Sequence, residues 1–340
     1  MKHSKKAIIV SVVFVLVVTL IYGVVAVPYL YFNNDKILRN ELAGNTDCII
    51  IGASHGLSGF VPQVLDENME CHSYNLCGSL ITFNGRLALL EEEIYRNPVK
   101  TVVVDISYNA FSRPSLSAEG NTYIIPRFNE QSKMLNYFTG NKMYQDIDTT
   151  YSYYFSYGMQ DYPKLVKSVF NGLKSNKSLS EYIKKNYLSD KERKNKGYVE
   201  KNKSGSPKLS EDEISQKYNS EEIDRNYNFE NIEILKQIVK ICRDKNVNVI
   251  FAVVTVSDAA IWKTSNWDDF YNDIVKISKE MDCRLIDFNL LKNRYELFSD
   301  DKSFSDNYHL CAEGARTFSG EFSKVINKIN NGENVDDMFY

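Results

Sequence analysis

A serine hydroxyl attacks an ester carbonyl only if a base takes its proton, and a histidine serves as that base when a carboxylate orients its ring. The chain has four histidines, so few arrangements are open to it. His3 sits among Lys2, Lys5 and Lys6, and His72 falls inside a predicted strand. His55 directly follows Ser54; neighbours at a strand end point different ways, so His55 reads as a pocket residue rather than a base for that serine. His309 remains, in Ser305-Asp306-Asn307-Tyr308-His309-Leu310. Asp306 lies three residues upstream, a spacing over which a turn brings its carboxylate to one imidazole nitrogen and leaves the other for a hydroxyl.

These residues need a scaffold that makes them converge. Asp47 to Ile51 is a continuous apolar run ending at Gly52, the pattern of a buried parallel strand. Cys71–Leu76 and Thr101–Ile106 read as further strands, with an amphipathic helix over Ile81–Tyr95 between them. Later come a helix over Ile232–Cys242, a strand over Val247–Thr255, a helix over Asp269–Met281, a strand over Arg284–Phe288 and a closing helix over Glu313–Ile329. The alternation predicts an α/β fold with a doubly wound, flavodoxin-like parallel sheet and helices on both faces. Its site is then expected beyond the carboxyl ends of the strands.

Three blocks in order, Gly52-Ala53-Ser54-His55, Asn75-Leu76-Cys77-Gly78-Ser79 and Asp306-x-x-His309-Leu310, resemble the SGNH, or GDSL-like, hydrolase superfamily over residues 47–109 and 229–329. The resemblance implies Ser54 as nucleophile, Asp306 and His309 as the rest of a triad, and an oxyanion hole from the N–H groups of Ser54 and Gly78. It also implies an asparagine from a third block, Gly-x-Asn-Asp; this chain has Asp105-Ile106-Ser107-Tyr108-Asn109 there, so Asn109 is the candidate, with Ser107 or a backbone amide as substitutes. Each motif alone also fits a bland role: a turn glycine at 52, helix caps at Ser54 and Asp306. Gly52-Ala53-Ser54-His55-Gly56 matches the nucleophile elbow of α/β-hydrolases too, but that elbow follows several strands and this one follows a single strand.

Outside the sheet, residues 112–228 break the alternation and read as an insertion, with 45–111 and 229–330 forming the catalytic domain and 331–340 a tail. The insertion is rich in aromatics (Tyr144, Tyr151, Tyr153, Tyr154, Phe155, Tyr157, Tyr162) and then polar over Ser189–Ser220, where a solvated surface segment is expected. Residues 1–6 read as a cytoplasmic tail. Ala7 to Tyr31 carries no charge and follows three lysines, which predicts a transmembrane anchor over 7–31 with the rest of the chain outside, at the plasma membrane; a cleaved signal peptide is the competing reading.

A net charge of -3 gives no basic excess for nucleic acid. No phosphate-binding loop, dinucleotide fingerprint or C-x-x-C pair is present, so neither cofactor nor metal is expected. Of six cysteines, Cys48, Cys242 and Cys283 read as buried thiols, while Cys77 and Cys311 adjoin the two ends of the predicted site and are a candidate pair.

An anchored SGNH domain resembles the members that act with membrane-bound O-acyltransferases in teichoic-acid D-alanylation and in alginate or peptidoglycan O-acetylation. That implies a serine O-acyltransferase of a cell-envelope polysaccharide, with such an acyltransferase as partner. A carbohydrate or lipid esterase and a non-catalytic glycan-binding or assembly factor are the alternatives.

Overall fold

The computed structural model describes residues 8–18, 33–108, 110–115, 117, 120, 123–141, 162–175, 178, 182, 185–203, 222–299 and 301–340. Five strands, β1 (Cys48–Ile51), β2 (Ser73–Asn75), β3 (Thr101–Asp105), β4 (Asn248–Val253) and β5 (Arg284–Asp287), form one sheet in the order β2-β1-β3-β4-β5. Every pairing is parallel, with Ile50 opposite Val103 and Val103 opposite Ile250 at the centre.

Strand side chains alternate faces, and both faces of these strands are apolar. Ile49, Ile51, Val102, Val104 and Phe251 face one layer, where helices α3 (Phe83–Arg96), α4 (Phe229–Asp244) and α5 (Trp267–Glu280) bring Leu89, Leu90, Ile238 and Ile274. Cys48, Ile50, Val103, Ile250 and Ala252 face the other, where α2 (Pro62–Met69) and α6 (Ala312–Asn330) bring Leu65, Phe318, Phe322 and Val325. The sheet therefore lies between two helical layers, as the alternation predicts. Its order reverses between β1 and β3, and the crevice beyond their carboxyl ends is where such a fold receives ligands.

The helices start where chemistry favours them. Thr82 caps α3 by accepting from the Gly85 N–H, Asn228 caps α4 by accepting from Glu230, and Pro62 opens α2, where its missing N–H costs nothing. A short helix, Ser54–Gly59 (α1), follows β1 directly. The helix Asn34–Glu41 is fixed to α3 by buried charge: Arg39 contacts Glu92 at 3.0 Å, Glu93 at 2.6 Å and Asp35 at 2.8 Å. Burial pushes the Asp35 carboxyl up, but Arg127 and Arg39 outweigh it and hold it well below the usual carboxylate range.

Two sequence expectations are corrected. The first is the spanning helix expected over 7–31, of which the described part, 8–18, is helical. No helix among the described residues is long and apolar enough to cross a membrane, and residues 19–32 lie outside them. Cys77 and Cys311 do not pair; both are free thiols, Cys311 donating instead to the Lys302 carbonyl at 3.0 Å. The described part of the polar stretch from Ser189 is exposed or half-buried apart from Tyr198, in keeping with a surface segment, and it also packs against the fold. A capping box starts the helix Asp190–Asn195, and the chain then joins the sheet edge, the Asn75 N–H donating to Lys196 at 2.9 Å, with Tyr198 buried. Residues 204–220 lie outside the described residues, as do the insertion's tyrosines from 144 to 157.

Candidate active site

β1 delivers the chain to Gly52 at the crevice, and the last residue of β3, Asp105, lies under the turn that follows. A Cβ at Gly52 would come within 2.7 Å of Asp105 Oδ2, and one at Gly56 within 2.7 Å of Cys77 Sγ, so both positions need glycine for close approach. Asp105 Oδ2 accepts from the N–H groups of Ala53 at 3.1 Å and Gly56 at 3.2 Å and so pins the start of α1 to β3. Burial pushes the Asp105 carboxyl up to about 6, against the opposing pull of Arg86 and the two amides.

Ser54, at the first position of α1, is presented from this turn into the crevice. Its Oγ lies 2.9 Å from His309 Nε2. His309 Nδ1 lies 2.8 Å from Asp306 Oδ1 and 2.9 Å from Oδ2. Asp306 Oδ1 also accepts from the N–H groups of Tyr308 and His309, each at 2.9 Å, and the Ser305 N–H donates to the His309 carbonyl at 2.8 Å, which closes the turn. Burial raises the Asp306 carboxyl, but the His309 bond, the Tyr308 amide and Lys201 outweigh it and keep it ionised well below its ordinary range. Lys201 Nζ stands 3.6 Å from Asp306 Oδ2.

The structure thus brings Ser54, Asp306 and His309 together. His55 stacks on His309, ring centroids 5.0 Å apart and 18° from parallel, and meets Tyr108 edge-on. Burial, reinforced by His309, pushes the His55 pKa down to about 3, so its ring is neutral at neutral pH. Its two ring nitrogens are buried without a partner among the described residues. Ser107 lines the same cavity.

Gly78 is a correction: its N–H donates to the Gly52 carbonyl at 3.2 Å, tying the turn after β2 to the end of β1, and it is not among the residues lining the cavity. An amide spent on a carbonyl is not presented to an oxyanion. The Ser54 N–H opens α1, where no helical carbonyl reaches it, and is the donor the geometry leaves at the nucleophile. Asn109 lies outside the described residues.

The cavity beside Ser54 has a volume of about 320 Å³. Several of its walls escaped sequence reasoning. Tyr108 and Tyr308 pack at 5.2 Å on one side; Leu80, held in the left-handed region at φ 59°, and Arg86 contribute another; Arg113, Pro114 and Ser117 come from the insertion. Arg86 sits one turn inside an amphipathic helix, where the sequence pattern gives only a polar position. No group of three or more potential metal ligands occurs among the described residues.

No protein-family model matches the chain, and no curated protein is similar to it. Among solved structures, the crystal structure of a proposed acylhydrolase from Bacteroides fragilis NCTC 9343 is similar with a TM-score of 0.38 and 9% identity, covering 86% of this chain and 93% of that one, a likeness at which neither fold nor activity transfers.

Proposed function

We propose that the chain is a serine enzyme of acyl esters, working through an acyl-Ser54 intermediate. The observation that carries this is His309 bridging Ser54 at 2.9 Å and Asp306 at 2.8 Å at the carboxyl end of a parallel sheet. A carboxylate only accepts, so the proton sits on Nδ1 and Nε2 is free to take the Ser54 proton. Ser54 Oγ then attacks the ester carbonyl, His309 passes the proton to the departing alcohol, and a second hydroxyl, giving its proton to His309, releases the acyl group.

In the first reading the second hydroxyl belongs to a cell-envelope glycan, acylated outside the cytoplasm, with a membrane-bound O-acyltransferase supplying the acyl group. The SGNH resemblance suggests it, and the contribution of Arg113, Pro114 and Ser117 from the insertion to the cavity supports an acceptor surface built there. Hydrolysis, with water as acceptor, uses the same residues and is the second reading.

Labelling with a fluorophosphonate tests the shared chemistry. Ser54 should carry the adduct, found by mass spectrometry of the peptide, and Ser54→Ala and His309→Ala should abolish it; labelling unchanged in Ser54→Ala would sink the assignment. With a simple acyl ester and an oligosaccharide acceptor, acylated sugar formed at the expense of free acid favours transfer, and release of acid indifferent to acceptor favours hydrolysis.

A further inference from the structure

Four arginines are buried among the described residues: Arg39, Arg86, Arg127 and Arg294. Three are held by carboxylates, Arg39 by Glu92, Glu93 and Asp35, Arg127 by Asp35, and Arg294 by Asp258. Arg86 is the exception. It is 3% exposed, yet among the described residues no carboxylate reaches ion-pair distance of its guanidinium. Its Nη1 makes one long contact, 3.5 Å, to the Asp105 carbonyl; its Nε is buried with no partner; its plane lies 4.4 Å over the Phe83 ring. The nearest negative charge is the Asp105 carboxylate, which attracts Arg86 from beyond ion-pair distance; its Oδ2 is occupied by the two amides of the nucleophile turn and its Oδ1 is buried without a partner among the described residues.

A guanidinium taken out of water without a paired anion is costly, and a fold retains one where something else completes it. Arg86 lines the cavity that holds Ser54. Arg113, exposed on the rim, lines it too and makes no ion pair among the described residues. The two are near enough for Arg113 to disfavour charge on Arg86. The residues lining the cavity include both arginines and no aspartate or glutamate, and the amino end of α3, a helix of 14 residues, opens onto it at Thr82 and Phe83. The charges on the cavity wall itself are positive and the helix end has the same sign, while the Asp105 and Asp306 carboxylates stand behind the wall.

We propose that the Ser54 cavity takes an ester carrying an anionic group, a carboxylate or a phosphate, which Arg86 and Arg113 bind so that the scissile carbonyl is held over Ser54. This rests on Ser54 as nucleophile and adds the class of substrate. A guanidinium offers two parallel N–H groups to such an anion, so it fixes orientation as well as supplying charge. Bound there, the anion relieves the repulsion between the arginines and gives the Arg86 guanidinium the paired negative charge it lacks. The binding energy is applied next to the reacting bond, where it can position the carbonyl.

Matched pairs of esters test this, corrected for uncatalysed rates: 4-nitrophenyl hexanoate against 4-nitrophenyl hydrogen adipate places the charge on the acyl part, and 1-acetylglycerol against 1-acetylglycerol 3-phosphate places it on the alcohol. The wild type should favour the anionic member of at least one pair by tenfold or more in kcat/KM, and the pair that responds tells which part carries the charge. That ratio should fall at least tenfold in Arg86→Gln and severalfold in Arg113→Gln, with Arg86→Lys restoring only part of it. Equal or reversed preference in both pairs overturns the proposal while leaving the acyl chemistry intact; so does a preference that survives both glutamine variants. Should Arg86→Gln fail to fold, Arg113→Gln and competition by adipate and glycerol 3-phosphate against hexanoate ester hydrolysis decide the matter. If no ester is turned over and Ser54 is not labelled, the acyl reading falls. The anion site is then judged alone, by whether adipate or glycerol 3-phosphate raises the Tm of the wild type but not of Arg113→Gln; no rise overturns it.

Discussion

His309 is held by three contacts of different kinds: Asp306 fixes its tautomer, His55 stacks against its face, and the Ser54 hydroxyl donates to its free nitrogen. Of these, the tautomer is the most exposed to a single atom change. In Asp306→Asn the amide nitrogen can donate to Nδ1, which moves the ring proton to Nε2 and leaves Ser54 without a base. We expect kcat/KM to fall on the order of 10⁴-fold. Since the Asp306 side chain is half exposed, the Tm should move little. An Asn variant that keeps activity within tenfold, measured on a chromogenic ester, would remove Asp306 from the triad. The meeting of Ser54, Asp306 and His309 was legible because four histidines leave few choices and D-x-x-H fits one turn. Gly78 was misread because the direction of a backbone amide is not written in residue type, and here it points to Gly52.

At the scale of elements, β1 and β3 meet through one carboxylate. Asp105 gives the turn before α1 its only side-chain acceptor among the described residues for the Ala53 and Gly56 amides, and Asp105→Ala leaves both N–H groups buried and unpaired. Each such group costs about 1–3 kcal/mol, so the urea midpoint should drop clearly, and kcat with it as Ser54 loses its fixed position. The pH dependence has a definite sign. Asp105 is raised to about 6 from an ordinary 3.8, so the native state holds the proton more tightly than the unfolded chain. Its contribution to stability is therefore best below about pH 4, declines through pH 6 and is level above, a change on the order of 3 kcal/mol. Asp105→Asn should flatten the fall in stability between pH 4.5 and 7 relative to the wild type, the other carboxylates cancelling in the comparison. An identical slope in the two proteins would refute the assignment. The strands were readable as apolar runs because both faces of this sheet are covered; the role of Asp105 was not, since it depends on which strand lies beside β1.

Across the whole molecule, the insertion is what the alternation could not place, and its described parts reach the site from two sides. Arg113, Pro114 and Ser117 line the cavity, while the stretch after Ser189 runs along the β2 edge to the triad. Along that edge Asn75 donates to Lys196, Val199 to Leu57 at 3.1 Å and Ala312 to Lys201 at 3.2 Å, so that Lys201 arrives beside Asp306. The run depends on Gly197. Its φ of 88° lies in the region that favours glycine, and a Cβ there would collide with the Asn75 carbonyl oxygen. Gly197→Ala therefore strains the backbone and pushes the segment off the sheet edge, and we expect a loss greater than 1 kcal/mol in global stability. The local consequence separates this view from a general weakening. If the segment is a brace for the triad loop, the amides of Asn75, Val199 and Ala312 should exchange faster in the variant by more than the global loss accounts for, while those of β3 and β4 change only by that loss. Uniform acceleration across all of these amides would mean that the segment merely packs on the edge and does not hold Lys201 against Asp306.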